Sequence, residues 1–162
     1  MAIHKLDLGE FDEIDYHLIA IHTSLEDYRL AYFINQTLPV NLCKNGNEIQ
    51  INIKEGETKF SRFSYQKADN TICWNLIQNK NEVLQQKNEK SQTLFSNVAM
   101  EVSTKVYLLS EFKKVDYFLK IENIDNLIKI DEIQVLLNTI DSISTAYSID
   151  LNKIKAKNNL IF

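Results

Sequence analysis

Few residues in this chain have both the type and the spacing for chemistry. Cys43 and Cys73 are the only cysteines and His4, His17 and His22 the only histidines, while Glu10, Asp12, Glu13 and Asp15 form an acidic run. A cysteine nucleophile needs a base oriented beside it, and neither thiol has a local motif that supplies one. Both sit in alternating apolar stretches, where a free thiol acts as a small hydrophobe. His17 and His22 are separated by an odd number of positions, so on one strand they point to opposite faces and do not form a metal pair. An acidic run near a terminus is ordinarily a solvated face. The three glycines are isolated, which rules out phosphate-cradling and dinucleotide fingerprints. The sequence therefore assigns no catalytic, cofactor-binding or metal residue. An enzyme would need a concave site gathering Asp15, Asp116, His17 or Glu111.

Binding chemistry is better represented. KFSRFSYQK, residues 59–67, interleaves Lys59, Arg62 and Lys67 with Phe60, Phe63 and Tyr65. Single-stranded nucleic acid is held by this mixture of cations and stacking rings. Lys59, Arg62, Tyr65 and Lys67 are the candidate RNA contacts, with Lys113 and Lys114 beside them. Phe60 and Phe63 fall on opposite faces of a strand, however, and the chain as a whole is acidic. The second stretch is LSEFKKVDYFLKIEN, residues 109–123. Its apolar positions have the period of a strand, leaving Glu111, Lys113, Lys114 and Asp116 as a candidate binding surface.

These residues must be positioned by one domain, the expectation for 162 residues that are 44% hydrophobic and contain three Gly and one Pro. A formal charge of -4 gives solubility and argues against broad attraction to phosphate backbones or anionic lipids. No secretory pattern opens the chain and no apolar run is long enough to span a bilayer, so a cytoplasmic location without membrane contact is expected.

Residues 15–22 predict a strand and 24–38 a helix, with Ser24 and Asp27 at capping-box spacing and Pro39 as its stop. VNLCKNGNEIQINIK predicts a hairpin about Asn45-Gly46. A turn at 55–57, a strand over 58–66 and a strand over 71–79 with Ile72, Trp74 and Leu76 inward complete a meander. Residues 79–97 are polar and predict a long loop with at most a short helix. Strands over 101–109 and 115–123 then form a second hairpin, with 110–114 as its connection. Asp131 and Gln134 have capping spacing, and Ile133, Leu136, Leu137 and Ile140 line one face of a helix. ISTAYSID predicts a last strand, followed by a short helix or edge strand.

EIDYHLIAIHTSLEDYRLAYFIN and KVDYFLKIENIDNLIKIDEIQVLLN share an order of strand, cap and helix. Period two puts Ile14, Tyr16, Leu18 and Ala20 on a face equivalent to that of Val115, Tyr117, Leu119 and Ile121, with Asp15 and Asp116 opposite. A crossover after each unit would make part of the sheet parallel. The expected fold is α+β with two layers: a mostly antiparallel or mixed sheet and two main helices packed on one face.

LSEFKKVDY resembles the bacterial family named for its pattern IPExxxVDY, and the likeness extends over the whole chain, including MAIHKLDLGEFDEIDY and KNNLIF. Glu111, Val115, Asp116 and Tyr117 match the pattern, whereas Leu109 and Ser110 replace its Ile and Pro. The resemblance implies a small soluble bacterial protein and supplies no activity, cofactor or catalytic residue. The functional expectation is a non-enzymatic interaction module that recruits a protein partner or self-associates through a sheet edge or face. RNA binding is the less favoured alternative.

Overall fold

In the computed structural model, residues 15–54, 56–69, 71–87, 100–125 and 128–162 are described. The runs rich in Ile, Tyr, Phe and Thr form ten strands among these residues: β1 (Tyr16–Thr23), β2 (Cys43–Lys44), β3 (Ile49–Ile53), β4 (Gly56–Phe60), β5 (Arg62–Gln66), β6 (Cys73–Gln78), β7 (Lys80–Lys87), β8 (Met100–Tyr107), β9 (Tyr117–Glu122) and β10 (Ile143–Ser148). Two α-helices, α1 (Asp27–Thr37) and α2 (Ile130–Asn138), connect β1 to β2 and β9 to β10. The main sheet has six strands in the order β10-β1-β9-β6-β5-β2, and each adjacent pair is antiparallel. This corrects the expectation of a partly parallel sheet. β9 and β10 do run the same way, but β1 lies between them, so the crossover creates no parallel ladder.

Both faces of the sheet are covered. Leu30, Ala31 and Ile34 of α1 and Ile133 and Leu137 of α2 pack on Ile19, Trp74, Leu76, Leu119 and Ile121. The α+β class with both helices on one face is therefore present. On the other face, Leu18, Ala20, Ile77 and Phe118 are covered by the hairpin β3–β4, the ribbon β7–β8 and residues 149–160. Burial on both faces removes the polar alternation that marks a half-exposed strand. The predicted equivalence of faces fails for this reason: Leu18 and Ala20 are on the ribbon side, whereas Tyr117, Leu119 and Ile121 are on the helix side. Val115 precedes β9 and belongs to the ribbon-side core, while Ile14 lies outside the described residues.

Neither helix has the predicted capping box. Glu26 and Lys129 occupy the N-caps without side-chain capping bonds; Asp27, and Asp131 with Glu132, instead place negative charge in the first turns, where the helix dipole favours it. α1 ends immediately before Pro39, as expected. Leu136, expected in the core, is 39% exposed. A feature shared by the two strand-helix units is an Asn near the end of each helix. Asn35 bonds both the N–H and the C=O of Leu42, and Asn138 does the same to Ala146.

Other predicted elements are also corrected. Asn45-Gly46 does not turn a hairpin: β2 pairs with β5, and β3 pairs with β4 across a turn preceding Gly56, whose φ is 132°. That backbone region suits glycine. The predicted strand 58–66 divides at Ser61, β4 entering the small hairpin and β5 the main sheet. Lys80–Lys87 is a strand where a loop was expected; 88–97 lie outside the described residues. β8 and β9 do not form a hairpin, because β8 pairs with β7 while β9 is inserted between β1 and β6. Cys43 is exposed rather than packed. The residues after β10 form one-turn 3-10 helices at Leu151–Lys153 and Lys157–Leu160.

Candidate binding surfaces

Residues 108–116 carry the chain from the ribbon to the centre of the main sheet. Leu108, Leu109 and Val115 are buried and anchor the two ends of this bend, and Ser110–Phe112 makes a 3-10 turn. The turn itself is not buried, but the protein must satisfy the backbone groups at its buried ends internally. Asn79, fully buried between β6 and β7, does so: its Nδ2 donates to the carbonyls of Phe112 and Val115, and its Oδ1 accepts from Leu109 N–H.

The polar residues of the candidate surface are partly engaged by the protein itself. Glu111 Oε1 accepts from the N–H groups of Lys155 and Ala156 at 2.7 and 3.1 Å, pinning the segment after β10. Asp116 accepts from Thr23 N–H at 3.0 Å and pairs with Lys80 Nζ at 2.7 Å. Lys113 is exposed, with its ammonium 5.8 Å from the Tyr107 ring centroid, and Lys114 is exposed. Burial opposes ionisation of Glu111, but the N–H groups of Ala156, Glu111 itself and Lys155, together with the Ser110 hydroxyl, outweigh it and hold the carboxyl below its ordinary 4.5. The Tyr117 hydroxyl donates to Leu25 O at 2.8 Å. Burial, followed by the charges of Asp27, Asp116 and Glu26, pushes the phenol far above its usual range and keeps this donor protonated.

Glu111→Gln should therefore cost about 1–2 kcal/mol at neutral pH, the worth of a charge-assisted hydrogen bond. A carboxyl with a depressed folded-state pKa contributes stability above its unfolded value and loses it as pH falls through the folded one. Urea titrations across pH should show wild type and variant converging in acid; a gap that persists there would rule out the ionised carboxylate as the clip.

Beside Asp116 are two clefts that share Gln78 and Lys80. One, of about 260 Å3, is bounded by Thr23, Leu25, Asp116 and Tyr117. The other, of about 490 Å3, is lined by Asn81, Glu82, Lys105 and Tyr107. The lining offers ion-pairing and hydrogen-bonding groups and includes no cysteine or histidine. The four groups considered for an enzyme are not brought together. Asp15 adjoins Asn123 at one end of β1 and Asp116 adjoins Thr23 at the other, roughly 25 Å apart at the rise of a strand. No group of three or more potential metal ligands occurs among the described residues.

The candidate RNA contacts are likewise separated. Lys59 is on β4 of the small hairpin, and Arg62 is on the ribbon-side face of β5. Tyr65 packs against the helix-side core, and Lys67 pairs with Asp69 at 3.9 Å.

A cluster that sequence reasoning missed lies on the ribbon-side face. Strand pairing puts Tyr16, Glu122 and Cys73 in one row, Leu18, Lys120, Asn75 and Ser64 in the next, and Ala20, Phe118, Ile77 and Arg62 in a third. Lys120 is only 4% exposed. Its ammonium lies 2.6 Å from Glu122 Oε1 and 2.7 Å from Leu160 O, with the Tyr16 and Phe162 ring centroids at 5.0 and 4.6 Å. The available signal was a lysine within an otherwise apolar central strand, FLKI, where only a paired charge is tolerable. Desolvation lowers the Arg62 pKa, against the opposing pull of Glu122. It also raises the Cys73 thiol, as Glu122 does, with Lys120 acting the other way.

The exposed edges of the strands are treated unequally. Along β10, Asn138 bonds the N–H and C=O of Ala146, and Gln134 accepts from Ser148 N–H, so side chains of α2 cap the edge. Among the described residues β8 has only β7 as a strand neighbour, and no side chain caps its backbone in this way. No family model, curated protein or solved structure matches the chain.

Proposed function

We propose that the protein is a non-enzymatic interaction module that pairs with a second copy of itself along the edge of β8. The supporting observation is an eight-residue edge that no strand or side chain caps among the described residues, in a fold that seals β10 with α2 side chains. An edge strand presents a row of backbone donors and acceptors that another strand can complete. The side chains suit an antiparallel copy: a two-fold centred on Ser103 sets Glu101 opposite Lys105 of the partner copy, and Lys105 opposite the partner's Glu101. All three positions are exposed. A lysine on an edge ordinarily discourages pairing; this register gives it a partner.

Opposite charges across antiparallel strands contribute about 0.2–1 kcal/mol per pair, and like charges cost a similar amount. With two symmetric pairs, Lys105→Glu should weaken the dimer roughly 10- to 100-fold. Glu101→Lys combined with Lys105→Glu should restore it. Size-exclusion chromatography with light scattering over a concentration series measures both. A wild-type monomer at high concentration, or a double variant no better than the single one, would overturn the reading.

A further inference from the structure

We infer that the Arg62–Lys120–Glu122 cluster is a binding site for a small aromatic carboxylate, and that the Phe162 side chain fills its ring slot in the free protein. The slot is built by two cations facing one ring: the Arg62 guanidinium carbon is 4.7 Å and the Lys120 ammonium 4.6 Å from the Phe162 centroid. Cations over an aromatic face attract it, more strongly when partly withdrawn from water. The slot therefore selects a flat π system over an aliphatic group of equal size.

Charge supplies the second half of the specificity. Lys120 is paired with Glu122, whereas Arg62 has no carboxylate within ion-pair distance among the described residues. Its Nε is buried and has no hydrogen-bond partner among the described residues. A buried donor without an acceptor is costly, and the planar donors of a guanidinium match the paired oxygens of a carboxylate. A ligand carboxylate would satisfy Nε and balance the surplus positive charge.

The present occupant can leave without dismantling the core. Leu160 is 1% exposed and held by Lys120 through its carbonyl, whereas Ile161 and Phe162 are 76% and 44% exposed. Displacement of the Phe162 ring would open the slot while Leu160 stays in place.

The test uses the full chain carrying Phe162→Ala, titrated with benzoate and followed by amide NMR, with spectral dispersion confirming the fold. Saturable shifts should appear at Asn75, Lys120 and Glu122. Wild type should bind roughly tenfold more weakly, about the effect of one ring competing for a cation–π slot. Cyclohexanecarboxylate keeps the charge without the π face and should also bind roughly tenfold more weakly than benzoate. Arg62→Gln in the Phe162→Ala background should abolish saturation. Absence of saturable shifts, equal binding of the two carboxylates, inorganic phosphate binding as well as benzoate, or indifference to Arg62→Gln would each overturn the site.

Discussion

Asn79→Ala should lower the unfolding free energy by about 3–5 kcal/mol, among the larger effects expected of a single substitution. The side chain contributes little apolar packing; its role is to satisfy three backbone groups of residues 109–115, the Leu109 N–H and Val115 C=O in buried bonds and the Phe112 C=O, which also accepts from Val115 N–H, in a partly buried one. Each group left without a partner costs about 1–3 kcal/mol, and some relaxation keeps the total below the sum. Asn79→Asp should be at least as harmful, because it removes both Nδ2 donors and places a carboxylate against two carbonyls. Urea unfolding followed by circular dichroism measures the change, and a loss under 1 kcal/mol for Asn79→Ala would show that water satisfies the bend equally well.

Lys120→Ala should be comparably severe, at about 3–5 kcal/mol. It deletes a buried cation whose carboxylate partner is only partly exposed, leaves Leu160 O without its donor, and opens space between two aromatic rings. A paired replacement separates these contributions. Lys120→Met with Glu122→Gln fills the volume and removes both charges, and apolar or neutral substitutes for a buried ion pair are often well tolerated. The double variant should recover more than half of the loss. If it is no more stable than Lys120→Ala, the hydrogen bond to Leu160 matters more than the charge. Faster proteolysis within 149–162 in Lys120→Ala would show that the lysine also secures that segment.

Legibility in the sequence follows the range over which each feature is determined. β1, α1, β6, β9, α2 and β10 lie where the sequence predicts them, because the helices have one apolar face and the central strands a short β-branched apolar run within a short window. The Asn45-Gly46 hairpin fails because the same turn can lead into a hairpin or out of a sheet. The choice is made by β5, about twenty residues away, which captures Cys43 and Lys44. β7 looked like a loop because its sequence is polar, yet pairing with β8 supplies what its side chains do not. Glu111 and Asp116 looked available because their partners, Ala156 and Thr23, are remote in the chain. Lys120 and Asn79 were missed for a related reason: in a local window a polar residue marks solvent, whereas here both are buried and satisfied by distant groups.

The strand order also bears on how the chain assembles. β9 joins β1 to β6, so the earliest strand of the main sheet has no place beside the middle ones until residues 117–122 are available. Before then, β5 and β6 can pair, but β1 must wait about a hundred residues for its first neighbour and longer for β10. Closing loops of that length before contacts repay the lost entropy makes folding slow and exposes incomplete edges to other chains. Synthesis therefore passes through a long interval in which β1 is most vulnerable to misassembly, and arrival of the 109–122 stretch is the event that ends it.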